Sequence, residues 1–190
     1  LCALLAFSAI KNNDKVGLVA FTDQVELFIP PKKGTSHVLR LIRELLSFTP
    51  KRKGTNIGLA LDFLGRVVSK RCVTFLISDF LGSDYDRSLR IVARRHDLVA
   101  VTVSDPRESA LPNVGMAIVE DAETGEQIVL DTASKRVRSH YEAAARARAA
   151  QLRDRFAAIG VDHIAARTDQ DYVRDLITFF RRRERRLAHG

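Results

Sequence analysis

Two oxygen-bearing side chains stand where a metal ion could be bound. Asp79 directly follows the apolar run "VTFLIS", and Thr55 lies in the loop "KGTN" ahead of a predicted helix. Oxygen atoms are the ligands that Mg²⁺ and Mn²⁺ prefer, and such a site can leave one coordination position open for an external carboxylate. The alternative is that Thr55 caps the helix and Asp79 is a turn residue, which are common roles for these residue types.

Three acidic residues near the end of the same strand allow a second chemistry. Asp79, Asp84 and Asp86 are close in sequence, and clustered carboxylates can hold magnesium for phosphoryl transfer. The alternative is that Asp84 or Asp86 caps a helix that begins near Tyr85.

Other signatures of enzymes are absent from the sequence. The histidines have no metal-binding spacing, which favours surface or capping roles for them. The segments "KKGTS" and "RKGTN" lack the glycine spacing of a phosphate-binding loop, and no nucleophile elbow or dinucleotide fingerprint occurs. We therefore expect no catalysis and no nucleotide binding. The histidines are His37, His96, His140, His163 and His189.

An arginine cluster near the end of the chain accounts for much of its formal charge of +8. Positive charge is favourable at the C-terminus of a helix, so a solvated helix end explains the cluster. With Phe179 and Phe180 packed inward, no aromatic side chain separates the arginines, and we expect no nucleic-acid binding. That function remains the alternative for this cluster. Its arginines are Arg181, Arg182, Arg183, Arg185 and Arg186.

The composition is that of a globular protein with one sizeable core. The chain has 190 residues, 46% hydrophobic and 28% charged, with no repeat or linker, and we expect a single domain over residues 1–190. Cys2 and Cys72 lie apart in apolar surroundings, which indicates a reducing, cytoplasmic setting. The opening run "LCALLAFSAI" has about half the length of a membrane span. We expect a buried helix there, and we expect that the chain is truncated upstream of it. Whether a membrane anchor precedes these residues is left open.

Helical and strand patterns alternate along the chain, which predicts a three-layer α/β domain with a mostly parallel sheet and one antiparallel edge hairpin. The run "CVTFLIS" is typical of a central parallel strand. Ligands bind beyond the carboxyl ends of such strands, where Asp79 lies. The predicted helices are residues 1–10, 35–47, 57–68, 84–96, 134–159 and 169–186, and the predicted strands are residues 15–21, 25–30, 72–78, 97–105 and 161–167, with a further hairpin over 117–130.

Residue chemistry also predicts how several of these elements begin and end. We expect Thr35 or Ser36 to cap the second helix, and Gly160 to end the long helix. Pro106 and Pro112 bracket a predicted loop, and the hairpin turn is placed at residues 123–125.

Three stretches in a fixed order resemble a known family. These are "NNDKVGLVAFTDQVELFIPPKKG", "KGTNIGLAL" and "VTFLISDF", and the similarity continues to "DYVRDLITFFRRRERR". As an ordered set they resemble the von Willebrand factor type A-like domain of the bacterial "domain of unknown function 58" family. The resemblance covers essentially the whole chain.

The resemblance implies a metal-ion-dependent adhesion site. Such a site takes ligands from an Asp-x-Ser-x-Ser loop after the first strand, a Thr from a second loop and an Asp from a third. Thr55 and Asp79 match the second and third loops, while the first loop does not occur in these residues. The resemblance therefore implies that the first strand is missing and that metal affinity is weak or nil. A sheet without its central strand leaves apolar surface unpaired, so we expect a poorly soluble fragment.

The resemblance also implies a function. It indicates a non-enzymatic protein-interaction domain in which Mg²⁺ or Mn²⁺ recruits an acidic side chain of a partner protein. It further implies a partnership with a MoxR-type AAA ATPase in the assembly or maturation of protein complexes.

Overall fold

The computed structural model of the protein describes residues 1–82, 84–120, 127–171, 173–174 and 176–181. Helices and strands alternate along these residues, as the hydrophobic periodicity predicts. In chain order the elements are α1 (Cys2–Lys11), β1 (Val16–Phe21), β2 (Val25–Lys32), α2 (Thr35–Ser47), α3 (Ile57–Val67), β3 (Val73–Ser78), α4 (Asp86–Arg95), β4 (Asp97–Ser104), α5 (Pro106–Ser109), β5 (Met116–Glu120), β6 (Gln127–Asp131), α6 (Lys135–Ile159) and β7 (Asp162–Arg167).

The chain divides into two compact units. The first unit comprises Leu1–Arg71 and Leu81–Arg95, and the second comprises Cys72–Phe80 and His96–Gly190. The first unit therefore holds α1 to α3, the hairpin β1–β2 and α4, and the second holds the remaining strands with α5 and α6. The expectation of one domain over the whole chain stays a prediction.

In the first unit, β1 and β2 form the predicted antiparallel hairpin. β2 continues beyond the predicted end at Pro30 as far as Lys32, which pairs with Val16. Helix α2 begins at Thr35, but its N-cap residue is Gly34 and no side chain caps it, so the predicted cap at Thr35 or Ser36 is wrong. A glycine fits there because its φ is 100°.

Helices α3 and α4 complete the first unit and contact each other. Asn56 caps α3, since its Oδ1 accepts a hydrogen bond of 2.9 Å from the backbone N–H of Leu59. The proposed capping role of Thr55 is therefore wrong. Helix α4 buries Leu89 completely and leaves Val92 1% exposed, which matches the apolar spacing of this helix.

The second unit contains a parallel sheet of three strands in the order β3-β4-β7. The predicted parallel pairing of the "CVTFLIS" strand is confirmed, but β3 lies at the edge of the described sheet and β4 at its centre. Residues Val99, Ala100 and Val101 of β4 are completely buried. A continuous apolar run indicates that both faces of a strand are buried. It does not indicate how many neighbouring strands that strand pairs with.

Most of the rest of the second unit follows the predictions. Asp105 caps the short helix α5 where a loop was expected, because its Oδ1 accepts the N–H of Arg107 at 2.9 Å. Gly160 ends α6 in the left-handed conformation, as predicted. β5 and β6 form the second predicted hairpin, and its turn at 123–125 lies outside the described residues. The last predicted helix is helical at residues 173–174 and 176–181, but its predicted start at 169–171 is wrong, because these residues form a turn and coil; its other residues lie outside the described part.

The observed architecture is a mixed α/β fold with a three-stranded parallel sheet and two antiparallel hairpins. The sequence predicts a single mostly parallel sheet with one edge hairpin, whereas each hairpin here is a two-stranded sheet of its own. Among the helices described, none is both long and apolar enough to cross a membrane.

Candidate functional site

Asp79 lies in the second unit at the carboxyl end of β3, as the sequence predicts. Its side chain is exposed, and the hydroxyl of Ser78 donates to its Oδ1 at 3.3 Å. The same hydroxyl accepts the N–H of Phe80 at 3.1 Å. Phe80 has a φ of 58°, and its ring packs edge-on against Phe156 at 5.0 Å. Burial of Phe80 thus fixes a sharp turn that leaves the Asp79 carboxylate at the surface.

Thr55 lies in the first unit, in the loop between α2 and α3, and its side chain is exposed. The backbone of this loop is tied to the β1–β2 hairpin, since Asn56 N–H donates to the carbonyl oxygen of Thr22 at 2.8 Å. Thr55 makes no side-chain hydrogen bond to any residue that the structure describes. Its hydroxyl is therefore available to a ligand.

Glu26 holds the beginning of the same loop. Its carboxylate accepts backbone N–H groups from Lys51 at 2.9 and 3.1 Å and from Arg52 at 3.0 Å, and the hydroxyl of Thr22 at 2.9 Å. The hydrogen bond from Lys51 is the main reason that the pKa of Glu26 lies below its usual value. No local sequence pattern indicates this contact, because 25 residues separate the partners.

The predicted ligands fall in different units. Thr55 belongs to the first unit and Asp79 to the second. The acidic set of the enzyme alternative is divided in the same way, with Asp84 and Asp86 in the first unit. Within the described part of the chain, no group of three or more His, Cys, Asp or Glu side chains could hold a metal ion.

The donor atoms of Thr55 and Asp79 nevertheless suit a hard cation. Both side chains are exposed and both offer oxygen, the atom that Mg²⁺ and Mn²⁺ select. Two such ligands are fewer than a stable site needs, because Mg²⁺ demands octahedral coordination. A cation bound to either side chain would need further ligands from other residues or from water.

A polar cleft of about 410 Å³ lies in the first unit beside the start of α3. A Cβ at Gly58 would lie 3.5 Å from both Asn56 Oδ1 and the backbone oxygen of Asp84, an ordinary van der Waals distance. No local sequence pattern indicates this cleft, because its two walls are distant in the chain. Its lining residues are Asn56, Gly58, Leu59, Asp62, Arg66, Asp84 and Ser88.

Two histidines are less exposed than the sequence predicts. His96 is 2% exposed, with its Nδ1 3.4 Å from Cys72 Sγ, so a surface role is wrong for it. His163 lies half-buried on β7, with Nε2 2.6 Å from Thr102 Oγ1. Burial lowers the pKa of His163, and the positive charge of Arg153 lowers it further.

The arginine cluster proposed for nucleic-acid binding is described only at Arg181, which is helical and exposed. The other four arginines lie outside the described residues. Phe180 precedes the cluster and packs against Phe75 with ring centroids 6.0 Å apart, as the inward packing of this residue predicts.

One solved structure matches this fold. It is the conserved hypothetical protein BatB from Bacteroides thetaiotaomicron, with a TM-score of 0.53, coverage of 99% of this chain and 87% of BatB, and 18% identical residues. At that identity the similarity shows the fold alone.

Several curated relatives come from mycobacteria. Uncharacterized protein Rv1480 of Mycobacterium tuberculosis is 29% identical over 99% of this chain, and the chain spans 60% of that relative's length. Uncharacterized protein MAV169 of Mycobacterium avium is 30% identical over 85% of this chain and 97% of its own length.

The model of the family described as "Protein of unknown function DUF58" matches residues 1–151. This match covers most of the α/β core, including Thr55 and Asp79. The chain therefore belongs to the DUF58 family of bacterial proteins.

Proposed function

We propose that the chain is a non-enzymatic protein-interaction domain of the von Willebrand factor type A kind, acting in the cytoplasm. In this proposal Thr55 and Asp79 supply oxygen ligands to Mg²⁺ or Mn²⁺, and the cation captures an acidic side chain of a partner. The remaining ligands would come from an Asp-x-Ser-x-Ser loop, which the 190 residues do not contain.

The observation that carries the proposal is the exposed carboxylate of Asp79 at the end of a parallel strand. Carboxyl ends of parallel strands are where α/β folds bind ligands. Membership of the DUF58 family and the ordered sequence stretches support the same interpretation. The resemblance adds a MoxR-type AAA ATPase as the partner and complex assembly or maturation as the process.

The first test is the coding sequence ahead of Leu1. An apolar strand ending in Asp-x-Ser-x-Ser would complete the ligand set. A start codon at Leu1, or a preceding strand without those oxygens, would contradict the metal site and leave a metal-free binding scaffold.

The second test measures partner capture by the protein that carries this loop. MoxR-type ATPase binding is compared in Mg²⁺ and in EDTA for wild type, Asp79→Asn and Thr55→Ala, with Asp14→Asn as an exposed control. We expect EDTA and Asp79→Asn to weaken binding at least about tenfold, because the cation loses its charged ligand. Thr55→Ser should retain binding.

Unchanged capture by Asp79→Asn would refute the proposal. A phosphatase activity that this substitution abolishes would favour the enzyme alternative.

A further inference from the structure

Helix α4 presents a row of arginines to solvent. Its opposite face buries Ser88, Leu89 and Val92. With 3.6 residues per turn, the sequence "DRSLRIVARR" places Arg87, Arg90 and Arg94 together on the outer face. All three side chains are exposed, so the row is a continuous positive strip along the helix.

The strip also contains an apolar side chain. Ile91 lies between the arginines on the same face and is 46% exposed. A shallow groove of about 470 Å³ runs along this surface. We call this surface the arginine face; the groove residues are Asp86, Arg87, Arg90, Ile91 and Arg94.

The arginine face carries an excess of positive charge, because three arginines and one carboxylate, that of Asp86, line its groove. Some arginines of other helices pair with carboxylates, as Arg40 does with Glu44 in α2 and Arg146 with Glu142 in α6. Arg87, Arg90 and Arg94 have no such ion pair with a described residue. Like charges three and four positions apart destabilise a helix, so the arrangement costs stability in the free chain and an acidic partner would remove that cost.

We infer that the arginine face of α4 binds an acidic segment of a partner protein. Arginine is suited to this role because its planar guanidinium pairs with a carboxylate through two parallel hydrogen bonds. Ile91 supplies an apolar contact between the charge pairs, which a sugar-phosphate backbone does not match. The carboxylate of Asp86, at one end of the groove, repels phosphate. A peptide can place an uncharged residue opposite Asp86.

The spacing defines the partner further. The arginines span about 10 Å along the helix axis at a rise of about 1.5 Å per residue. In a partner helix that runs antiparallel to α4, carboxylates at positions i, i+4 and i+7 face Arg94, Arg90 and Arg87, and an apolar residue at i+3 faces Ile91. The surface includes neither Thr55 nor Asp79, so it is independent of the metal site proposed above and should bind in EDTA.

Fluorescence anisotropy of a labelled helical peptide tests the inference. The probe carries glutamates at i, i+4 and i+7 and leucine at i+3, and a glutamine version serves as the uncharged peptide. With wild-type chain in EDTA we expect saturable binding of the glutamate probe. Simultaneous substitution of Arg87, Arg90 and Arg94 by alanine should weaken it at least about tenfold, and Ile91→Ser should weaken it by a smaller factor. Lysine at the three arginine positions should restore part of the affinity.

A matched variant separates the arginine face from general charge. Alanine at Arg136, Arg148 and Arg153, which are exposed on α6, removes the same three charges elsewhere and should leave binding within about twofold. Circular dichroism confirms that each variant is folded. Equal weakening by both triple variants, absence of binding up to roughly 1 mM probe, or tighter binding of a single-stranded DNA 20-mer than of the peptide would overturn the inference.

Discussion

His163 is the residue whose environment gives the clearest dependence on pH. Its Nε2 lies 2.6 Å from the hydroxyl of Thr102, and its ring lies against Phe156 with centroids 5.0 Å apart. Burial disfavours the imidazolium, so the pKa of His163 in the folded chain lies below its ordinary value of 6.5. The neutral ring is therefore the form that the fold stabilises.

Acidification should destabilise the protein through His163. Below about pH 6.5 the unfolded chain binds a proton that the folded chain resists, so the free energy of unfolding falls as the pH falls through this range. The stability is fully present above pH 6.5. Urea unfolding between pH 7.5 and 5.5 should show this decrease in wild type and a shallower one in a His163→Phe, Thr102→Val double variant.

Controls isolate the titrating group. His163→Phe alone leaves the Thr102 hydroxyl without its partner and should cost about 1–3 kcal/mol at neutral pH. His140→Gln, at an exposed position on α6, should keep the wild-type slope. An unchanged slope in the double variant would show that other groups cause the pH dependence.

At the scale of elements, α6 illustrates how one residue ends a long helix. Gly160 adopts φ 75° and ψ 26°, and its N–H donates to the carbonyl oxygen of Ala157 at 3.1 Å. Apart from its two chain neighbours, no described residue places a heavy atom within 4 Å of the position that a Cβ would take. The requirement for glycine is therefore one of backbone conformation rather than of space.

Gly160→Ala should lower the free energy of unfolding by about 1–2 kcal/mol, because an L-residue is strained in the left-handed region. Gly160→Asn should cost less, since asparagine tolerates that conformation. Gly65→Ala inside α3 is the opposite control, expected to raise stability by up to about 1 kcal/mol through helix propensity. Urea denaturation measures all three, and equal effects of alanine and asparagine at position 160 would contradict the strain argument.

At the scale of the whole molecule, the surface combines high positive charge with exposed apolar side chains. The formal charge is +8, which opposes association. Ile118 on β5 and Val129 on β6 face each other across the hairpin and are 67% and 58% exposed. Met116 on the same face is 68% exposed. Such a patch on a two-stranded sheet favours contact between molecules.

The chain should therefore associate as its concentration rises, in line with the poor solubility expected from the sequence. Ile118→Lys should reduce the association in sedimentation velocity, because it places a charge in the patch. Leu46→Lys is the matched control, since Leu46 is 82% exposed on α2. A monomer at all concentrations with a sharp cooperative melt would contradict both expectations, and an equal effect of Leu46→Lys would show that added charge alone is responsible.

Local patterns predicted most elements because burial of one face imposes a period on the sequence. The spacing of apolar residues in α2 and α3 predicted both helices, and Gly160 marked the end of α6. Prediction failed where neighbouring groups competed for one role. Thr55 and Asn56 are both good caps, and only the backbone conformation of the loop decided for Asn56.

The sequence by itself determined the alternation of helices and strands, the parallel pairing of β3 with its neighbour and the exposed position of Asp79 after that strand. These depend on short-range periodicity and on residue type. Tertiary structure alone decided that Glu26 fixes the Thr55 loop, that His96 is buried beside Cys72, and that β4 is the centre of its sheet. Each of these depends on contacts between residues far apart in the chain, which no local pattern encodes.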